Sequence, residues 1–359
     1  MHARLCSDVG LLGYGHYIPP WRLDVSEFAR QWDLPASLER AYRLSGRNRV
    51  AVAADDEDAI TLAIAAASRA RAATGNSDRI DALLFGSESH PYAVKSSAVV
   101  VAEAIGIAPD AFVVDLEFAC RGGSAALLLS ATLSAGAGAC AMAIGADCPQ
   151  SRPGSLLEAS VGAAACAFIV GRGPATIARI DAIASAATDL TDFWRRDGAR
   201  YPSVVGKLSM DEGYLAHSKR VAHALMDVQG AGPGDFQYAV FHQPYATLPA
   251  RLGKELGFTS SQIKPGLTAA RIGNSYSAAC LLGLCHVLDI ARPGERILLV
   301  SFGSGAGSDG VTLEVTDRID NFHQTRTDSS IATVNDEISG NHTQNISYGL
   351  YAQSQGKLQ

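Results

Sequence analysis

Apolar runs of strand length recur along the chain, each bounded by glycine or a polar cluster. They are VGLLGY (Val9–Tyr14), DALLFG (Asp81–Gly86), AFVVDL (Ala111–Leu116), CAMAIG (Cys140–Gly145), CAFIVG (Cys166–Gly171), YAVFH (Tyr238–His242), RILLVSF (Arg296–Phe302) and VTLEVTD (Val311–Asp317). Runs this apolar predict strands buried on both faces. Between several of them lie helical patterns, over Asp55–Ala73 and Ser96–Gly106. Strands alternating with helices predict an α/β protein. From Gly122 to Ala146 no residue is charged, but the run is rich in Ala, Ser and Gly, and SAGAGA (Ser134–Ala139) divides it. It therefore reads as a buried helix, a turn and a strand, not as a membrane span.

The pattern also echoes itself. Gly123–Asp147 and Tyr276–Gly305 each run from small residues through an apolar helix and a turn to a buried strand. Asp81–Ser89 and Tyr238–Tyr245 are each a buried strand ending in a polar cluster. Two similar halves follow, roughly 1–172 and 173–318, packed together because each alone would expose an apolar face. Beyond them, 319–345 is polar without a helical or strand period and reads as a linker. The last stretch, 346–359, regains Ile346, Tyr348, Leu350 and Tyr351. The alternation of Ile346, Tyr348 and Leu350 suits an edge strand docked on the body or on a partner.

Composition narrows the function. Hydrophobic residues are 47% of the 359 and charged residues 18%, so the chain can bury a large core. The 30 basic residues are scattered among 36 acidic ones, net −6, which argues against nucleic acid as a partner. Seven cysteines, an odd number spread through apolar segments, suggest reduced thiols and a cytoplasmic protein. MHARLCSDVG lacks the pattern of a secretory leader, and no CxxC or HExxH motif predicts a metal.

Four residues could carry chemistry. Cys120, in EFACRGGSAALL, lies between a strand and a helix start, where the dipole favours thiolate; a buried inert cysteine is the bland alternative. His242 directly follows a strand, where α/β folds gather ligands; it could be a general base or a satisfied strand-end histidine. Asn274, in RIGNSYSAACLL, could donate to an oxyanion or simply cap a helix. Glu88, in FGSESHPYAVKSS, could be a base or a solvated loop residue. GSGAGSDG (Gly303–Gly310) contains a formal GxGxxG, but a strand follows it, so the dinucleotide reading fails and a tight turn lining the site is expected.

Taken together, Cys, His and Asn at strand ends or helix starts of two similar halves resemble the thiolase superfamily. GSESHPYAVK, EFACRGG, VFHQP, IGNSYSAA and SFGSGAGSD, with TDFWRRDGARYP and the ending ISYGLYAQSQGKL, look like the short archaeal and bacterial type of 3-hydroxy-3-methylglutaryl-CoA synthase. The resemblance implies duplicated halves in a five-layered αβαβα core. It also implies acetyl transfer from acetyl-CoA to Cys120, enolate formation assisted by Glu88, and condensation with acetoacetyl-CoA or a similar β-keto acceptor. His242 would assist protonation and Asn274 would stabilise oxyanions. Thr247, Ser275, Ser304 and Gly305 would bind substrate, with no cofactor beyond the acyl-CoA substrates. A homodimer, a small zinc-ribbon/OB-fold partner and a thiolase are the implied associates. Thr247 stands where the family often has lysine, which fits a chain helped by such a partner. A ketosynthase III-like enzyme of a polyketide-type pathway shares Cys/His/Asn but lacks the Glu88 carboxylate. A non-catalytic subunit of an acyltransferase complex would not need all four residues.

Overall fold

The computed structural model describes residues 3–6, 8–33, 40, 48–75, 79–245 and 247–357. Nine strands form the path of one mixed sheet: β1 (Val9–Tyr17), β2 (Ala82–Gly86), β3 (Phe112–Leu116), β4 (Ala141–Asp147), β5 (Ala164–Arg172), β6 (Ala178–Ala187), β7 (Tyr238–Phe241), β8 (Arg296–Val300) and β9 (Gly307–Val315). Their order is β7-β8-β9-β6-β1-β5-β4-β2-β3, with Arg4–Leu5 added on β6. The arm β1-β5-β4-β2 and the arm β6-β9-β8-β7 repeat one plan. In each, the first three strands pair antiparallel and the last pair is parallel. The arms meet at β1 and β6, through only Gly10↔Arg179 and Leu11↔Ala178.

That narrow seam lets the arms stack with helices between them. Helices α1 (Ala59–Ala73), α2 (Gly122–Ala137), α3 (Ala216–Gln229) and α4 (Ala279–Leu288) build the layers. α2 packs on β2, β4 and β5 of one arm and β9 of the other, while α4 packs on β7, β8 and β5. α1 covers the outer face of β1, β4 and β5, and α3 that of β6, β8 and β9. The result is a five-layered αβαβα thiolase fold. Between the two sheets α2 buries Gly122, Ser124, Ala126, Leu127, Ser130 and Ala131, which accounts for much of its uncharged run. Asp58 and Ser96 cap the two helices read from the early patterns, and Gly138, at φ 68, ends α2 where SAGAGA was expected to break it. No helix among the described residues is long and apolar enough to cross a membrane.

Two backbones touch where β2 ends and α2 begins. A Cβ on Gly86 would lie 2.0 Å from the carbonyl carbon of Gly122, so only glycine permits the approach. This brings the segment carrying Glu88 against the segment carrying Cys120.

The C-terminal region departs from its sequence reading. The expected linker 319–345 contains helices Arg318–Asp328 and Val334–Ser339, which bury Ile319, Phe322, Arg326, Val334 and Ile338. Ile319, Phe322 and Arg326 lie three and four apart on one helix face, with a buried cation where an apolar residue would have revealed the period. The tail is not an edge strand from Ile346 onward. Gln344–Asn345 pair in parallel with Trp21–Arg22, and Tyr348–Ser354 is then a helix capped by Ser347. Tyr348 and Tyr351, three apart, pack edge-on against Phe28 at 5.8 and 5.5 Å between ring centroids. The tail thus docks on its own body.

Candidate active site

The cleft forms at the strand ends. Cys120 stands two residues before α2 and is 8% exposed, and Ala119 before it adopts φ 43. Its thiol donates to Glu88 Oε1 at 3.4 Å. Beside the pair lies a cavity of about 300 Å³ whose lining includes Glu88, Gln150, Phe193, Tyr276, Ser304 and Gly305. Cys120 itself packs with Val161 and Tyr276, and with the partly buried Leu157 and Phe193.

The helix start does not yield the ready thiolate expected from its dipole. Burial, then the negative charges of Glu88 and Asp147, push the Cys120 thiol well above its ordinary range. Arg121, the next residue, gives no relief because Asp309 already neutralises it at 2.8 Å. Burial and the Asp147 carboxylate likewise raise Glu88 well above the usual carboxylate range, opposed by the Cys120 hydrogen bond and by Arg195. A carboxyl group raised this way is a stronger base than an ordinary carboxylate and is suited to taking a proton from substrate.

His242 follows β7 and is 1% exposed. Its amide donates to Val300 O at 3.1 Å and its carbonyl accepts from Tyr214 Oη at 2.8 Å. Its ring nitrogens have no hydrogen-bond partner among the described residues, and burial lowers its pKa to about 3, so the imidazole is neutral. The turn after β8 presses Gly303 against Phe118 and Arg121, which places the end of the β7–β8 pair toward the Cys120 segment. Asn274 is 4% exposed and bonded by its backbone on both sides, its amide to Ser160 O at 2.9 Å and its carbonyl from Gly162 N at 3.0 Å. Its Oδ1 accepts from Tyr276 N at 3.0 Å. That partner is a donor, so the amide oxygen must face it and Nδ2 is left to donate elsewhere.

Of the expected substrate contacts, Ser304 and Gly305 line the cavity, whereas Thr247 and Ser275 are not among its lining residues. Thr247 is exposed at the start of helix Leu248–Leu256, and Ser275 is buried with its hydroxyl unpartnered among the described residues. Sequence reading missed Asp147. This wholly buried carboxylate ends β4 and accepts from Ser87 Oγ, Glu88 N and Ser89 Oγ on one oxygen and from Ser277 N and Oγ on the other. One carboxylate at the end of an otherwise uncharged strand was the available signal. Tyr276 was also missed. It holds φ 48, and its buried hydroxyl has no partner among the described residues.

Residues 226–315 match the family model of the 3-oxoacyl-[acyl-carrier-protein (ACP)] synthase III C-terminal domain. The fold superposes on MvaS in complex with 3-hydroxy-3-methylglutaryl coenzyme A with a TM-score of 0.84 at 22% identity, covering 98% of this chain and 92% of that one. The protein is a thiolase-fold acyltransferase. It is 46% identical over 319 residues to the hydroxymethylglutaryl-CoA synthase of Archaeoglobus fulgidus, covering 88% of this chain and 91% of that protein. It is 42% identical to that of Methanobrevibacter smithii, over 98% of this chain and 99% of the other. The chain belongs to the hydroxymethylglutaryl-CoA synthase family.

Proposed function

We propose that this chain condenses acetyl-CoA with acetoacetyl-CoA, and that Cys120 and Glu88 carry the reaction. The observation behind the reading is the thiol–carboxylate contact of 3.4 Å beside a cavity. The Cys120 sulfur attacks the acetyl-CoA thioester, its proton leaves with free CoA, and an acetyl thioester forms on the enzyme. Glu88 as carboxylate takes one proton from the acetyl methyl. The enolate carbon bonds to the ketone carbon of acetoacetyl-CoA, and the new alkoxide takes a proton from a neutral His242 N–H as the ring takes up the proton that Glu88 removed, which returns both groups to their starting states. Asn274 Nδ2 donates to the thioester oxygen while it carries enolate charge. Water then cleaves the enzyme thioester, which releases 3-hydroxy-3-methylglutaryl-CoA and returns the thiol. Ser304 and Gly305 hold substrate; Thr247, exposed at a helix start, would meet the CoA arm, and Ser275, buried between Asn274 and Tyr276, would act at the acyl end. The scheme calls on no metal or cofactor besides the CoA esters.

The functional unit we propose is a cytoplasmic homodimer. Among the described residues strand β3 pairs with β2 alone, and Phe112 at its edge is 61% exposed. A small zinc-ribbon/OB-fold protein and a thiolase would associate away from the tail, whose apolar side chains are already occupied by Phe28 and Trp32. The deciding experiment is mass spectrometry of Cys120 after incubation with acetyl-CoA, then addition of acetoacetyl-CoA. An acetylated Cys120 that the acceptor converts to 3-hydroxy-3-methylglutaryl-CoA supports the reading. An acetyl group that only another β-keto acceptor discharges would overturn the choice of acceptor.

A further inference from the structure

The chain's last described residues reach the catalytic cavity through a buried ion pair. Lys357 Nζ lies 3.0 Å from Glu158 Oε1, with the two side chains 4% and 1% exposed. The ammonium also donates to Ser151 O at 2.8 Å and to Ser151 Oγ at 3.1 Å, so its three protons meet three acceptors. Glu158 is equally engaged. Oε1 also accepts from Tyr348 Oη at 3.1 Å, and Oε2 accepts from Gly154 N at 2.8 Å. A single pair therefore grips the 150–161 segment at Ser151, Gly154 and Glu158.

That segment is one wall of the site. Gln150 lines the cavity at its start. Leu157 and Val161 pack with Cys120 and Tyr276. Ser160 and Gly162 hold the backbone of Asn274 from both sides. One residue before the ammonium, the Gly356 carbonyl accepts from Arg200, in the stretch whose Phe193 and Pro202 line the cavity from another side.

We infer that Lys357 and Glu158 are positioning residues for the catalytic cavity, holding the 150–161 wall against Cys120 and Asn274 from the C-terminus. A pair serving stability alone would be matched by apolar replacements; this one instead ties two backbone groups, Ser151 O and Gly154 N, of a wall that no other side-chain ion pair among the described residues touches. The inference rests on Cys120 and Asn274 acting as proposed above.

The test compares the parent with Lys357→Met, Glu158→Gln and Lys357→Arg, each assayed well below its own melting temperature. Two readouts are taken: alkylation of Cys120 by iodoacetamide, which needs no substrate, and kcat for the condensation. A loosened wall uncovers the thiol and misplaces Asn274. Lys357→Met and Glu158→Gln should then alkylate several-fold faster and lose kcat by about tenfold or more, while Lys357→Arg stays near the parent. Folded variants within about twofold of the parent in both readouts would overturn the inference. So would loss of cooperative unfolding in both, which would make the pair a plain stability element. A parent that does not condense the two CoA esters, with alkylation still faster in the variants, would refute the proposed reaction and leave the positioning role standing.

Discussion

Asp147 Oδ1 accepts the backbone N–H of Glu88 at 2.9 Å, so the carboxylate whose charge raises Glu88 also fixes where Glu88 sits. The two roles separate in Asp147→Asn. An amide keeps one acceptor oxygen, yet Glu88 N and Ser277 N both donate to this side chain. One backbone donor must then face an NH₂, at a cost of about 1–3 kcal/mol. The negative charge also goes, so Glu88 should return toward 4.5. Proton abstraction needs the ionised carboxyl, and the parent's acid limb should lie above that value. In the variant the limb should move to lower pH while the urea midpoint falls. An unmoved limb would mean that burial alone sets Glu88.

Glu88→Gln separates acyl loading from carbon–carbon bond formation. The amide preserves shape but cannot take a methyl proton. Acetyl-Cys120 should still form, while exchange of the acetyl methyl protons with deuterated water falls by about 10²–10⁴. The measurement is methyl mass after quenching. Exchange at the parent rate would assign the base to another group.

His242 couples stability to pH. Its folded pKa is about 3 against an ordinary 6.5, because burial disfavours the imidazolium. The unfolded chain therefore takes up the proton first as pH falls below 6.5. The stability of the neutral, buried ring is intact above that pH and declines from there toward 3, at up to about 1.4 kcal/mol per pH unit. His16, also held at about 3, adds a second such contribution. His242→Gln should flatten the fall in urea-unfolding stability between pH 6.5 and 5 by one histidine's worth. An unchanged slope would place the acid sensitivity elsewhere.

The sequence made the strands legible wherever branched or aromatic residues formed a run. It hid β6, ARIDAIASAA, because four of its five buried side chains are alanine and the positions between them include Ile183 and Ala187 beside Arg179, Asp181 and Ser185, so the hydropathy contrast is weak. Cys120, Glu88, His242 and Asn274 were legible by their places at strand ends and helix starts, and as a set through the family resemblance, and the structure brings Cys120 and Glu88 into contact. Asp147 and Tyr276 were not, because their importance lies in what they touch across the fold. The C-terminal helices were obscured for a related reason. Arg326 is as buried as its apolar neighbours, and only its partners explain how a guanidinium comes to be there.

Those partners support the last prediction. Arg326 pairs with Asp289, donates to Tyr14 Oη at 2.6 Å and lies 4.7 Å over the Tyr14 ring. Asp289 also accepts from Tyr14 Oη at 2.7 Å and from Val334 N at 2.7 Å, with 2% of its side chain exposed. Deleting the cation strands a carboxylate among apolar side chains, and such loss costs about 3–5 kcal/mol. Arg326→Met should therefore destabilise the whole protein strongly, and truncation after Asp320, which removes Arg326 and Phe322 together, should abolish folding. Adding Asp289→Asn to Arg326→Met removes the stranded charge while keeping an acceptor for Tyr14. The double variant should thus recover part of the loss. Urea unfolding of the three chains decides it: a double variant no more stable than Arg326→Met would show that packing of the arginine stem over Tyr14, and not its charge, binds the C-terminal helices to the core.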